Sequence, residues 1–215
     1  MKRLICLMSM GLLLFAVIAP PVLAAKAGEI KDDVYTDGLH KFSVAIPTGW
    51  ASTVKSEKSP LRLVLTHKSY AVPQQFQGNP EYAQIPTIAV LVDTTSLTVD
   101  QFVDSLLDGK YKSKQKSFFQ KNMPLIAKTH DVLKRSPVTI GDVKAIAMEI
   151  RQAYTVEVAQ AGSDFADVVQ DYKSGKIYLM VRNGHVFIVH GICEYKLNST
   201  YNGTFDAVFS SMKFE

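Results

Sequence analysis

Residues 176–195 constrain the fold more than any other stretch of this chain. Two apolar runs, Ile-Tyr-Leu-Met-Val at 177–181 and His-Val-Phe-Ile-Val-His-Gly-Ile-Cys at 185–193, flank the dipeptide Asn183-Gly184. Asn-Gly supplies the two positive-φ positions of a type I′ turn, so the runs read as a tight antiparallel hairpin. In the second run Val186, Ile188 and Ile192 point to one side, and Phe187, Val189 and Cys193 to the other. A strand apolar on both faces belongs inside a sheet that is covered on both sides, which predicts a layered domain around one central sheet.

The N-terminus is Met-Lys-Arg followed by an apolar run over residues 4–19 and then Pro-Pro-Val-Leu-Ala-Ala. Basic residues, a short apolar core and small residues before a cut predict a secretory signal peptide, cleaved after Ala24. The apolar run is shorter than the roughly 20 residues of a spanning helix, and Cys6 lies too early for lipid attachment. Removing 24 of 215 residues leaves 191, a length that suits one domain. Residues 25–33 read as a flexible leader and residues 34–215 as a single domain, exported to the periplasm or the extracellular space. Loss of Lys2 and Arg3 takes the formal charge from +4 to +2, too little to draw nucleic acid or an acidic surface. Cys193 is then the only cysteine, which excludes an intramolecular disulfide and reads as a buried thiol.

Asp37-Gly38 separates Val34-Tyr35 from an alternating strand at 42–46, a second hairpin that ends at Pro47. Trp50 follows at once and reads as a core anchor. Strands are expected at 61–66 and 88–92, with a long loop over residues 67–86 between them. Thr98 and Gln101 form a capping box ahead of Phe102, Leu106 and Leu107, and a second helical stretch is expected over 112–121. Long strands follow at 126–134 and 143–158, joined by a turn around residues 136–142. The acidic segment 161–171 reads as a loop. Ser199 or Thr200 is expected to cap a last helix carrying Phe205, Val208, Phe209 and Met212.

Phe42-Ser43-Val44-Ala45-Ile46-Pro47-Thr48-Gly49-Trp50 resembles the opening of the PsbP-like and Mog-type fold family, and Phe209-Ser210-Ser211-Met212-Lys213-Phe214, after a hairpin and a helix, resembles its ending. The two motifs frame residues 34–215. The resemblance implies an α/β/α sandwich, of class α+β, around a mainly antiparallel sheet, used as a binding or assembly module and not as an enzyme. An export signal favours bacterial envelope members of the DcrB type, and with them an envelope protein or protein complex as partner.

No G-x-S-x-G elbow, H-E-x-x-H helix, phosphate loop or zinc-spaced cysteine set is present. His190 and Glu194 share a strand face but lie roughly 13 Å apart along an extended strand, too far to share a metal. No cofactor, metal or catalytic residue is therefore expected. The loop 67–86 offers Tyr70, Phe76 and Tyr82 among Gln, Asn and Pro, aromatic anchors beside adaptable polar groups, and these three are the expected binding residues. Two alternatives remain open: a hydrolase whose site assembles from distant residues around His67, His130 or His190, and a membrane-surface protein using the lysines at 110–121 with Phe118-Phe119.

Overall fold

The computed structural model describes residues 28–71, 85–110, 130–159 and 166–215. The expected signal peptide, the helical stretch 112–121 and the strand start at 126–129 lie outside the described residues. Eleven strands and two helices follow in chain order: β1 (Glu29–Lys31), β2 (Val34–Asp37), β3 (Phe42–Ala45), β4 (Trp50–Val54), β5 (Leu61–His67), β6 (Thr87–Thr94), α1 (Val99–Leu107), β7 (His130–Ile140), β8 (Val143–Ala159), β9 (Ala166–Arg182), β10 (His185–Glu194), α2 (Asn198–Ser210) and β11 (Lys213–Phe214). They form a seven-stranded sheet in the order β4-β5-β6-β10-β9-β8-β7 and a four-stranded sheet in the order β1-β2-β3-β11. Every pairing is antiparallel. The class is α+β with a central sheet, and β10 occupies its middle position.

That position explains the two-sided apolarity of β10. On one face Val186 and Ile188 join Ile146, Met148 and Leu179 beneath Phe102, Val103 and Leu106 of α1. On the other, Phe187, Val189 and Cys193 meet Phe205, Val208 and Phe209 of α2 together with Tyr35, Phe42 and Val44 of the small sheet. Each fully buried aliphatic side chain here contributes about 1.5–3 kcal/mol. The second face is thus covered by a helix and a sheet side by side, a layer the sequence patterns do not announce. Its tightest point is Gly191, where an added Cβ would lie 2.4 Å from Phe205 Cγ, so α2 rests directly on the backbone of β10.

The β9–β10 turn holds Asn183 at φ 49° and Gly184 at φ 74°, as a type I′ turn requires. Gly184→Val should cost about 1–2 kcal/mol, the usual penalty for placing a side chain in left-handed backbone. The Thr95 carbonyl oxygen is 3.9 Å from the added Cβ, so crowding adds little. An unchanged melting temperature would show that the turn relaxes to another geometry. α1 carries the expected capping box, with Gln101 N–H donating to Thr98 Oγ1 at 3.3 Å and Thr98 N–H to Gln101 Oε1 at 3.0 Å.

Several boundaries differ from the sequence reading. Pairing begins at Glu29, inside the stretch read as a leader, because β1 lies against β2. β7 runs through Ser136-Pro137 to Ile140, and only Gly141-Asp142 turns. Proline is tolerated there because β7 is the outermost strand. Ala166–Asp171 is not a loop but the first part of β9, paired with the far end of β8 from Tyr154 to Ala159. α2 starts at Asn198, directly after a 3₁₀ turn over Tyr195–Leu197, so neither Ser199 nor Thr200 caps it. Asn198 Oδ1 instead accepts from Ser174 Oγ at 2.8 Å, tying the helix start to the sheet.

At the opposite end of the sheet, the β2–β3 and β9–β10 connections meet through His40 and His185, whose ring centroids are 5.3 Å apart. His40 is held below the ordinary imidazole value of 6.5, chiefly by burial and further by Arg62 and His185, while Asp37 acts in the opposite direction. The unfolded chain therefore binds this proton more readily than the folded one. The resulting stability is complete above about pH 6.5 and is lost as pH falls through the folded-state value. His40→Gln should flatten that part of a urea-midpoint profile between pH 7.5 and pH 5; an identical slope would assign it to other groups.

Candidate functional site

Where β5 ends, the chain runs from His67 to Tyr70 before leaving the described residues, and this places Tyr70 at one end of the central sheet. Trp50 at the start of β4, Tyr201 in the first turns of α2, Glu194 at the end of β10 and Tyr154 on β8 converge on the same place. The cause is register: Trp50 pairs with His67, Thr66 with Thr87 and Thr87 with Ile192, so these strand ends are level across the sheet. His67 sits between two aromatic rings, with centroids 5.5 Å from Trp50 and 5.5 Å from Tyr201. Tyr154 donates its hydroxyl to Glu194 Oε2 at 2.7 Å, and Lys173 Nζ lies 5.0 Å from the Tyr154 ring centre.

The electrostatics of this end favour neutral hydrogen-bonding groups. The Tyr70 hydroxyl is pushed up to about 12 by burial, with Glu194, Tyr201 and Cys193 adding to the effect. Tyr154 is raised further, first by burial and then by its hydrogen bond to Glu194. Burial, aided by Cys193, raises Tyr201 in the same direction. All three phenols therefore stay protonated donors at neutral pH. The Cys193 thiol is pushed up to about 12 by burial and Glu194, which leaves it almost without thiolate and unreactive as a nucleophile.

Two buried polar atoms here have no hydrogen-bond partner among the described residues: His67 Nδ1 and the Tyr70 hydroxyl. Leaving a buried polar group unpaired costs about 1–3 kcal/mol, so each of the two is a position where a water or a partner group would be stabilising. They comprise donors as well as acceptors, which is what a polar partner surface needs.

Of the three residues expected to bind, Tyr70 is at this end, while Phe76 and Tyr82 lie outside the described residues. The structure brings to Tyr70 the residues His67 and Glu194, which the sequence offered only for a hydrolase or a metal site, together with Tyr154 and Tyr201, which it did not single out. Tyr201 alone had a readable signal, four residues before Phe205 on the helix. His190 is buried in the middle of the sheet. No Ser or Asp is hydrogen-bonded to the His67 ring among the described residues, and no group of three potential metal ligands occurs among them. Of the lysines at 110–121 only Lys110 is described; it is exposed and paired with Asp108 at 3.2 Å. No helix among the described residues is long and apolar enough to cross a membrane.

No protein-family model and no curated protein matches the chain. Among solved structures it is similar to the PsbP protein of the cyanobacterium Synechocystis sp. PCC 6803, at 11% identity over 92% of this chain and 97% of that one, with a TM-score of 0.48. It is similar to LpqN of Mycobacterium tuberculosis, a protein involved in cell envelope biogenesis, at 13% identity over 80% and 82% of the two chains, with a TM-score of 0.45. Similarity extends to the Ran-binding protein Mog1p of Saccharomyces cerevisiae, at 10% identity over 81% and 90%, with a TM-score of 0.43.

Proposed function

We propose that this protein is an exported, non-enzymatic binding or assembly module of the bacterial cell envelope, and that it receives a protein partner at the Tyr70 end of its central sheet. Export is supported by the basic, apolar and small-residue order of the first 24 residues. The single observation that carries the binding reading is the pair of buried polar atoms on His67 and Tyr70 that are unpaired among the described residues, beside a Trp50–Tyr201 aromatic wall. Aromatic residues with polar groups that await partners are the usual content of interface hot spots. Cys193 as an inert thiol and His67 enclosed by rings without a nucleophile leave this end little covalent chemistry to perform.

Tyr70→Phe separates binding from folding. Removing a hydroxyl that has no partner should leave the urea midpoint unchanged or slightly higher. Recovery of envelope proteins by the tagged mature chain should fall about tenfold, as expected for one lost interfacial hydrogen bond, about 1.4 kcal/mol. Equal recovery by the variant and the parent would remove Tyr70 from the interface. Recovery of no specific protein by the parent would remove the reading as a whole.

A further inference from the structure

A second concavity, of about 410 Å³, lies away from the Tyr70 end, between the outer strands of the central sheet and α2. Its floor is set by strand register. Lys134 of β7, Glu149 of β8 and Lys176 of β9 stand directly opposite one another, and Ser136, Ala147 and Tyr178 form the next row. Asp206, Phe209 and Ser210 of α2 make the wall. Asp206 is committed, since Lys176 pairs with it and the Tyr178 hydroxyl donates to it. Tyr178 and Phe209 are stacked with centroids 3.8 Å apart, which holds the wall in place. Glu149 is half-buried on the floor, and no ion pair within 4.0 Å joins it to either neighbouring lysine.

Three features define what fits. Two lysines and two carboxylates balance, so the site offers no net attraction for a charged ligand. Among the described residues neither Glu149 nor Lys134 is held in an ion pair, so the carboxylate can accept from a ligand hydroxyl and the ammonium can donate to one. The hydroxyls of Ser136 and Ser210 continue this pattern, while Val138 and Ala147 give an apolar floor at one end. We propose that this groove is a binding site for a neutral, polyhydroxylated ligand, a glycan segment of one or two hexose rings. With Asp206 engaged by Lys176 and Tyr178, only Glu149 is free to act. Glycoside hydrolysis needs two carboxyl groups, so the site binds its glycan without cleaving it.

The test is an array of neutral, sialylated and sulfated oligosaccharides probed with the mature chain, followed by NMR titration of the strongest neutral glycan. Retention of neutral hexose oligosaccharides is expected, with amide shifts at Ser136, Glu149 and Ser210. Glu149→Gln should weaken binding at least tenfold, and Ser136→Trp, which fills the groove from an open floor position, should abolish it; melting temperatures near that of the parent show that both variants fold. Tyr70→Phe should bind glycan as the parent does, which keeps this site distinct from the partner surface at the sheet end. Retention of no neutral glycan, a preference for the charged ones, or undiminished binding by both groove variants would overturn the proposal.

Discussion

Replacing Asp37 by alanine is expected to lower the unfolding free energy by about 3–5 kcal/mol, the range found when one partner of a buried ion pair is removed. Asp37 and Arg62 are both fully buried, with Nε and Oδ2 2.7 Å apart. The carboxylate is saturated: Oδ2 also accepts from the Tyr35 hydroxyl at 2.9 Å, and Oδ1 accepts from the amides of Leu39 and His40 at 3.0 Å and 2.9 Å. Arg62 Nη1 donates to the carbonyl oxygens of Ser56, Glu57 and Ser59, closing the other end of the network. Alanine would leave a buried guanidinium and phenol, and two part-buried amides, without their acceptor. Because Asp37 is on β2 and Arg62 on β5, the pair fastens the small sheet to the large one. The double variant Asp37→Leu with Arg62→Met should regain most of the loss, since apolar replacement of a whole buried pair is often neutral or stabilising. Urea unfolding of both variants decides the matter; a loss under about 1 kcal/mol for Asp37→Ala would mean that water reaches the pair.

Arg62 also shows where sequence patterns stop being informative. Leu61, Arg62, Leu63 and Leu65 read as a simple alternation, but Leu61 pairs with Leu91 and Leu63 with Val90, so Arg62 is the extra residue of a bulge. The bulge sends Leu61 to the α1 face and Leu63 to the α2 face, and it turns Arg62 toward Asp37. Nothing in the local spelling announces a partner 25 residues away. The features that were legible are local: the Asn183-Gly184 turn, the capping box at Thr98 and Gln101, and the apolar face of α2. The position of β10 was legible too, because a strand apolar on both sides is stable in water only when both sides are covered. Pro137 misled because its effect depends on whether its strand is at an edge, and edge status is decided by topology. The Tyr70 end shared this limit: Tyr154 and Glu194 are 40 residues apart and meet only when β8 and β10 are both placed in the sheet.

Trp50→Ala is expected to cost about 3–5 kcal/mol, the range for truncating a large buried aromatic. The turn that delivers this side chain explains the Pro-Thr-Gly-Trp spelling. Trp50 N–H donates to the Pro47 carbonyl at 3.2 Å, and Gly49 takes φ 83° at the third turn position, as a type II turn requires. The chain then enters β4 with the indole directed inward, 5% exposed, its centroid 6.1 Å from Tyr201 and 6.5 Å from Phe205. An edge strand is thereby pinned to α2 by one side chain. Trp50 is the only tryptophan, so its removal also removes the intrinsic indole fluorescence, and unfolding must be followed by circular dichroism. Trp50→Phe keeps part of the contact with Phe205 and should lose less than Trp50→Ala, because a phenyl ring retains much of the buried aromatic area. The loss has a functional side as well. Trp50 and Tyr201 together hold the His67 ring, so the alanine variant should disorder the Tyr70 end and weaken partner recovery beyond what Tyr70→Phe does alone. A urea midpoint equal to that of the parent would place the indole on the surface and make Trp50 a contact residue, with Tyr201 and Phe205 left to hold α2 against the sheet.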